Sequence, residues 1–373
     1  MTGRRILITG GAGFIGSHLA DHLLAHGYEV RALDDLSPQV HGEGARRPPW
    51  LAREVELQVG DVRDPAAVRR ALAGVDAVFH LAAAVGVGQS MYQLARYTSV
   101  NGLGTATLLE ALVERPVRKL VVASSMSIYG EGLYRGPDGR VRPGAERSLA
   151  QLQAREWELR GPAGEVLAPV PTPEDKPPSL PSVYALSKFD QERLCLTVGR
   201  AYGIPTVALR FFNVYGSRQA LSNPYTGVLA IFAARLLNDR PPLVNEDGRQ
   251  RRDFVAVQDV ALACRLALES AAADGRALNV GNGRSFTVLE VAEKLAQALG
   301  RPGIEPELVG KYRMGDIRHC FADVSLARRL LGFAPRVGFE AGLGALVAWL
   351  EGQVAHDRVH EAQRELAAMG LQV

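Results

Sequence analysis

The chain has few cysteines and no pattern that would pair them. Cys195, Cys264 and Cys320 are the three cysteines in 373 residues, and they lie far apart without a C-x-x-C pair. This usage argues against a disulfide framework or a structural zinc site and fits a reducing compartment. We therefore expect all three to be small apolar residues of the core.

Long apolar runs and an excess of one charge are also missing. No run of about 18 apolar residues, the length that spans a membrane, is present. The first predicted strand begins so close to Met1 that it leaves no room for a signal peptide. A formal net charge of +3 is nearly balanced and implies no basic stripe for nucleic acid. These absences predict a cytoplasmic protein that spans no membrane and binds no nucleic acid.

A glycine turn near the N-terminus predicts a dinucleotide site. A short apolar run at residues 6–9 has no polar face, as expected of a strand buried in a parallel sheet. Gly10, Gly13 and Gly16 follow with G-x-x-G-x-x-G spacing, and apolar residues then recur at helical spacing until Gly27. Glycines let backbone N–H groups approach a pyrophosphate, and the helix N-terminus adds partial positive charge.

Two carboxylates favour NAD over NADP. Asp34 ends the second predicted strand, where the dinucleotide fingerprint places an acid on the ribose 2′-OH. Asp35 follows it, so a 2′-phosphate at this position would meet like charge.

Strands at residues 55–59, 77–81 and 119–123 alternate with helices, which predicts an α/β fold with a doubly wound parallel sheet. Asp61 follows one strand and is a candidate for the adenine amino group, with a simple turn or cap as the alternative. His80 is flanked by apolar residues and is read as a core histidine. The remaining predicted cofactor contacts lie at the helix N-terminus and at strand ends: Phe14, Ile15, Val62, Leu81, Ala82, Ala83 and Asn101.

Ser125, Tyr184 and Lys188 are the predicted catalytic residues. Ser125 follows the fifth predicted strand at its carboxyl edge, and Tyr184 and Lys188 lie four apart on one predicted helix face. The ammonium can then stabilise a phenolate, while the serine hydroxyl orients the substrate. A Y-x-x-x-K match occurs by chance in many chains, so its weight comes from its place in a dinucleotide fold.

Motifs along residues 5 to about 325 resemble the extended short-chain dehydrogenase/reductases that act on nucleotide sugars. The motifs are TGGAGFIG at 9–16, DDLS at 34–37, GDVRD at 60–64, FHLAA at 79–83, SSMSIYG at 124–130, YALSK at 184–188, RFFNVYG at 210–216, RRDFVAVQD at 251–259 and RMGD at 313–316.

The resemblance implies a Rossmann domain with bound NAD, a smaller C-terminal α/β lobe for the nucleotide diphosphate sugar, and a homodimer built on a four-helix bundle. We expect residues 1–210, with an insertion at 131–181, to form the first domain and residues 211–373 mainly the second. Some segments of the second half would return to the first domain. The resemblance also implies a set of substrate contacts: Ser125, Ser127, Asn213, Arg252 and Arg313. It implies that Tyr184 and Lys188 contact the cofactor as well, with the lysine at the nicotinamide ribose. From the residues alone, Arg252 could instead form a surface ion pair with Asp253.

Met126 and Ser127 depart from part of the family. They stand where 4,6-dehydratases carry Asp-Glu and sugar-acid decarboxylases carry a Glu. Elimination needs an acid and a base that neither residue supplies, so oxidation at C4 followed by re-reduction is favoured. The sequence therefore predicts an NAD-dependent 4-epimerase of a nucleotide sugar, a dTDP-deoxyhexose such as dTDP-L-rhamnose or a UDP-sugar. The alternatives are a 4-ketoreductase of deoxysugars, a dehydratase or decarboxylase, and a non-catalytic NAD-binding protein.

The insertion contains an internal echo, RGPDGRV at 135–141 and RGPAGEV at 160–166, predicted as tight turns that open short strands. It resembles a subgroup that includes dTDP-L-rhamnose 4-epimerases, in which such turns often carry cysteine knuckles suited to zinc. No cysteine stands at these turns, so we expect no metal. Residues 341–369 are predicted helical, with 353–364 as a solvated terminal helix.

Overall fold

Sixteen strands and fourteen α-helices form the part of the chain that the structure describes. A computed structural model describes residues 4–221, 223, 225, 227–313, 315–353 and 357–371. The strands are β1 Arg5–Thr9, β2 Glu29–Asp34, β3 Glu56–Val59, β4 Ala77–His80, β5 Lys119–Ser125, β6 Leu133–Arg135, β7 Val141–Pro143, β8 Ala168–Val170, β9 Thr206–Phe211, β10 Asn213–Tyr215, β11 Leu243–Val244, β12 Arg251–Ala256, β13 Ala277–Val280, β14 Ser285–Thr287, β15 Glu307–Leu308 and β16 His319–Cys320.

The helices cover both faces of the main sheet and much of the second half. They are α1 Phe14–Leu24, α2 Pro38–His41, α3 Pro65–Ala71, α4 Val87–Ser90, α5 Leu94–Tyr97, α6 Gly104–Glu114, α7 Leu149–Gln153, α8 Val183–Ala201, α9 Val228–Leu237, α10 Val257–Glu269, α11 Val288–Ala298, α12 Ser325–Leu331, α13 Phe339–Leu350 and α14 Val359–Ala368. A π-helical turn, Thr98–Leu103, precedes α6, and a 3₁₀ turn, Met126–Tyr129, follows β5. Among the described residues, no helix is long and apolar enough to cross a membrane.

A seven-stranded sheet lies at the centre, in the order β13-β9-β5-β4-β1-β2-β3. All its strands are parallel, with Ile6 beside Val30 on one side and Ala77 on the other. The order reverses at β1, so β1 and β4 flank the crevice where doubly wound folds bind their ligands. The predicted Rossmann fold is confirmed.

Alternate residues of β1 pack into two separate hydrophobic cores, because successive side chains of a strand point to opposite faces of the sheet. Ile6 and Ile8 pack on the face that α1 and α10 cover, while Leu7 packs on the face of α3, α6 and α8. The three cysteines are free and buried, which confirms them as core residues.

A smaller sheet lies beyond the central one. Strand β12 pairs with β10, β14 and β16, and α9, α11 and α13 supply the apolar core behind it. Strand β13, from the second half of the chain, joins the central sheet. The boundary near residue 210 stays a prediction.

The insertion folds into an antiparallel sheet, β7-β6-β8. Its echoing turns close with matching hydrogen bonds, from the N–H of Gly136 to the carbonyl of Arg140 and from that of Gly161 to that of Glu165. The first turn joins β6 to β7, and the second closes on a bridge between Arg160 and Val166, so the prediction of tight turns is confirmed.

Capping side chains start two of the helices, α3 and α11. Asp64 accepts a hydrogen bond from the N–H of Ala66, and Thr287 and Glu290 form a capping box on α11. The expectation of a solvated terminal helix is wrong for one face of α14. Ala362 and Leu366 are buried there. Residues 354–356 of that predicted stretch lie outside the described part of the chain.

Candidate active site

The glycine turn brings the backbone of β1 close to the N-terminus of α1. Gly10 has a φ of 70°, which favours glycine, and a Cβ on it would lie 3.0 Å from the backbone nitrogen of Ala82. A Cβ on Gly16 would lie 2.3 Å from the carbonyl oxygen of Gly10. Gly13 is the N-cap of α1 and offers no side chain to cap the helix. The N–H groups of Phe14 and Ile15 lie in the first turn, where no intrahelical acceptor is available. This cradle fits a pyrophosphate.

Asp34 holds the glycine turn as well as ending β2. It is buried, and its two carboxylate oxygens accept from the N–H groups of Ala12 and Leu36, both at 2.9 Å. Each oxygen has a second lone pair, so the predicted contact with a ribose hydroxyl stays compatible with these bonds. Burial and the charge of Asp34 raise the pKa of Asp35.

Asp61 pairs with Arg63 on the same turn. The Arg63 guanidinium donates to both carboxylate oxygens, with Nε at 2.9 and 3.0 Å. Arg63 lowers the pKa of Asp61, so the acid is ionised. Its predicted contact with adenine stays a prediction. Val62 packs against Gly104, where a Cβ would come within 2.5 Å of its Cγ1.

The small residues after β4 are held from both sides. Leu81 and Ala82 donate their N–H groups to the carbonyl and hydroxyl oxygens of Thr9. The Asn101 side chain hydrogen-bonds both backbone groups of Ala84. Its oxygen accepts from the N–H at 2.7 Å, and its NH₂ donates to the carbonyl oxygen at 3.1 Å. Asn101 is fully buried in the π-helical turn. Its hydrogen bonds therefore position the backbone of this loop and do not reach atoms that face solvent.

Tyr184 lies in the first turn of α8, next to the loop after β4. Its N–H donates to the hydroxyl of Ser90 at 3.0 Å, and its ring meets that of Tyr97 edge-on at 6.4 Å. Burial raises the pKa of Tyr184, while a side-chain hydrogen bond with Ser125 lowers it. The structure thus brings Ser125 and Tyr184 together as predicted.

Ser125 caps the 3₁₀ turn after β5. Its hydroxyl oxygen accepts from the N–H and the hydroxyl of Ser127, at 3.2 and 2.9 Å. Met126 is buried in a cluster with Ile128 and Phe212 and turns away from this pair. Within the described ranges, no hydrogen bond joins a carboxylate to Ser125 or Ser127.

Lys188 follows one turn after Tyr184 and is only 3% exposed. Burial lowers its pKa to about 8, because the charged ammonium loses water. Its Nζ donates to Oε1 of Gln191 at 2.7 Å. Gln191 was not among the residues predicted for the site, although it lies one helical turn after Lys188, a spacing that brings side chains together.

The predicted substrate residues differ in their surroundings. Asn213 begins β10, and its buried side-chain oxygen has no hydrogen-bond partner among the residues that the structure describes. Arg252 donates to the carbonyl oxygens of Arg318, at 2.8 Å, and Ile317. Arg313 is exposed, and Met314 of the same motif lies outside the described residues.

Asp253 rules out the predicted alternative for Arg252. Its carboxylate is fully buried and accepts the N–H groups of Asn282 and Gly283, at 2.6 and 2.8 Å. A surface ion pair between Arg252 and Asp253 is therefore wrong.

His80 is a satisfied core histidine, as predicted. Its two ring nitrogens contact the hydroxyls of Thr9 and Thr105, both at 2.8 Å. Burial lowers its pKa to about 3, so the imidazole is neutral.

A Rossmann sheet with a serine at the end of β5, a Y-x-x-x-K pair on α8 and a smaller second sheet is the architecture of an extended short-chain dehydrogenase/reductase. The sequence pattern of the NAD dependent epimerase/dehydratase family matches residues 6–149 and 161–281. The chain belongs to this family, and NAD is its cofactor.

Individual relatives agree with the family match. The chain is 36% identical to a dTDP-L-rhamnose 4-epimerase of Burkholderia thailandensis, over 93% of this chain and 95% of that protein. It is 34% identical to the Thermus thermophilus UDP-glucose 4-epimerase solved with NAD, with a TM-score of 0.73 and 94% and 100% of the chains covered. A UDP-glucuronic acid 4-epimerase of Bacillus cereus, solved with UDP-glucuronic acid and NAD, is 27% identical with a TM-score of 0.76, over 93% and 99% of the chains.

Proposed function

We propose that the protein is an NAD-dependent 4-epimerase of a nucleotide diphosphate sugar. The observation that carries this proposal is the composition of the catalytic edge. Ser125 lies close enough to Tyr184 to lower the pKa of its phenol, and Met126 is buried where an eliminating enzyme needs a carboxyl. A dTDP-L-rhamnose 4-epimerase at 36% identity and a UDP-glucose 4-epimerase at 30% identity support it.

The protein's own residues divide the work. Bound NAD supplies the acceptor and donor of a hydride at the sugar C4. Tyr184 removes the proton of the C4 hydroxyl and later returns it, since it is the buried acid/base at the site. Ser125 orients that oxygen, and Lys188 places positive charge near the phenolate and lowers its pKa. Epimerisation then requires the C4 ketone to turn over between the two transfers.

Arg252, Arg313 and Asn213 are proposed to hold the diphosphate. The guanidinium of Arg252, which is fixed by backbone carbonyls, supports this assignment. Forked guanidinium groups suit phosphate oxygens. For the sugar we propose a dTDP-deoxyhexose such as dTDP-L-rhamnose, with a UDP-sugar as the second candidate.

The protein is also proposed to act as a homodimer. Leu103 and Leu186 are 56% and 54% exposed, on the turn before α6 and on α8, two elements that pack on each other. Exposed leucines on adjoining helices suit a helical subunit interface.

Incubation of the purified enzyme with dTDP-L-rhamnose and UDP-glucose in D₂O tests the reaction. We expect NMR to show the C4 epimer without deuterium at C4, C5 or C6, because the hydride returns from the cofactor. A 4-keto-6-deoxy product carrying solvent deuterium would contradict the proposal. Stoichiometric reduction of added NAD⁺ to NADH, with release of the cofactor each turnover, would favour the 4-ketoreductase, which would oxidise these 4-hydroxy sugars in its reverse direction.

A further inference from the structure

A network of neutral polar side chains lies in the core beside Lys188. Thr9, His80, Thr105 and Gln191 are each at most 1% exposed and come from β1, β4, α6 and α8. Four buried polar groups would be costly unless each one is satisfied.

The polar hydrogen atoms of this network have only one consistent arrangement. The hydroxyl of Thr105 donates its single proton to the carbonyl of Asn101 at 2.6 Å. Its oxygen must therefore accept from Nε2 of His80 at 2.8 Å and from Nε2 of Gln191 at 2.9 Å. His80 then carries its proton on Nε2, and its Nδ1 accepts from the hydroxyl of Thr9.

This arrangement sets the orientation of the Gln191 amide. Because Nε2 faces Thr105, Oε1 faces Lys188, and it accepts from the ammonium at 2.7 Å. A flipped amide would place its NH₂ against the ammonium and its oxygen against Thr105, which has no proton left to donate.

The carboxylate nearest in sequence is already engaged elsewhere. Glu192 accepts from Nη2 and Nε of Arg210, at 2.7 and 2.9 Å, and from the hydroxyl of Ser124 at 2.6 Å. Its charge favours the ammonium of Lys188 from a distance, without a hydrogen bond.

The other groups around Lys188 are neutral or are its catalytic partner. His80 carries no charge, and burial raises the pKa of the Cys195 thiol to about 12. Tyr184 lies one turn earlier on the same helix. Among the described residues, Gln191 is therefore the direct acceptor of the buried ammonium.

We propose that Gln191 is a positioning residue whose amide oxygen, oriented by Thr9, His80 and Thr105, holds Lys188 in place and keeps it charged beside Tyr184. A neutral acceptor suits this task. A carboxylate in direct contact would neutralise the positive charge that the phenolate of Tyr184 requires. The inference rests on the proposed roles of Tyr184 and Lys188.

Gln191→Met removes the acceptor at similar size, and Thr105→Val removes the group that orients it. A hydrogen bond to a charged group contributes about 1.5–3 kcal/mol, so the pKa of Lys188 should fall by about 1–2 units in both variants. The alkaline limb of kcat should move to lower pH by that amount. Tyr184 should titrate at higher pH in both variants. Its titration is measured as the difference in tyrosinate absorbance between each variant and the same variant with Tyr184→Phe added.

Thr105→Ser is the matched control, because it keeps the hydroxyl and should retain the wild-type titration. The proposal is overturned if both variants lose activity or stability while the alkaline limb of kcat and the Tyr184 titration stay unmoved. Gln191 would then be a structural core residue. The tyrosinate titration needs no substrate. A failure of the proposed 4-epimerase activity is therefore seen separately, as missing product with the titration shift still present.

Discussion

Burial acts on the two titratable residues of the candidate site in the same sense, by favouring the neutral form. It raises the pKa of Tyr184 and lowers that of Lys188 to about 8. The two shifts oppose the charged pair that the reaction needs, a phenolate beside an ammonium. Hydrogen bonds to Ser125 and Gln191 act against burial at each group. The neighbouring residues therefore matter as much as the tyrosine and lysine themselves.

Replacing Tyr184 with phenylalanine should abolish turnover and leave NAD bound. The change removes the exchangeable proton and little volume, and loss of a general acid/base lowers rates about 10²–10⁴-fold. Turnover and the nucleotide released on denaturation are the two measurements.

Tyr202→Phe on the exposed end of the same helix is the control and should change neither quantity. Near wild-type turnover in Tyr184→Phe would show that another group moves the proton.

The glycine turn and the insertion are the elements whose geometry depends most on close packing. In the turn, the missing side chains let β1, α1 and the loop after β4 meet. In the insertion, charged groups are buried where it meets residues 246–247 and 316–319. Arg318 is fully buried there and contacts Glu158, Glu246 and Asp247. Because the carbonyls of Ile317 and Arg318 hold Arg252, this contact links the insertion to the proposed diphosphate site.

Gly16→Ala should weaken or abolish NAD binding, since its Cβ would lie 2.3 Å from the carbonyl oxygen of Gly10. The turn must open to relieve that contact, which displaces the N–H groups that face the pyrophosphate. Titration of the stripped protein with NAD measures the effect.

Gly344→Ala is the control, because a Cβ at this exposed position of α13 meets nothing within 4 Å. It should bind NAD normally and gain up to about 1 kcal/mol from helix propensity. Equal NAD affinity in both variants would contradict the proposed cradle.

Glu246→Gln should destabilise the protein by about 3–5 kcal/mol, the typical cost of removing one partner of a buried pair. Glu246 is 4% exposed and its carboxylate accepts from Arg147 and Arg318, both at 2.9 Å. The free energy of unfolding in denaturant is the measurement.

Glu156→Gln offers a comparison on the insertion, since its pair with Arg160 is about half exposed on both sides. An exposed pair is worth about 0–1 kcal/mol. Similar losses in the two variants would show that burial of the cluster is not what stabilises it.

At the scale of the whole molecule, α8 carries the proposed catalytic residues Tyr184 and Lys188 and also an exposed leucine, and the π-helical turn that packs on it carries another. Leu186 lies on α8 two residues after Tyr184. A subunit interface there would fix the catalytic helix from outside while Gln191 and Glu192 fix it from inside.

Leu103→Glu combined with Leu186→Glu should give a monomer in size-exclusion chromatography with light scattering. Two buried charges per subunit would have to lose water in the interface, which is costly without partners. Leu149→Glu, on the equally exposed insertion helix, should leave the dimer intact. An unchanged dimer in the double variant would place the interface elsewhere.

Local patterns in the sequence were enough for the central fold and for much of the candidate site. The run of strand, glycine turn and helix, the capping residues Asp64 and Thr287, and the Y-x-x-x-K spacing all depend on residues within a turn or two of each other. Short-range sterics and hydrogen bonding decide such features, so the printed order of residues is sufficient.

Contacts between distant parts of the chain were decided only by the tertiary structure. Gln191 is oriented by Thr105, which is 86 residues away, and Arg252 is held by the carbonyl of Arg318, 66 residues away. The buried face of α14 was missed for the same reason, since its polar sequence does not reveal the surface on which it packs. Such pairings depend on the path of the whole chain, because a side chain can bond only to the group that folding brings within about 3 Å.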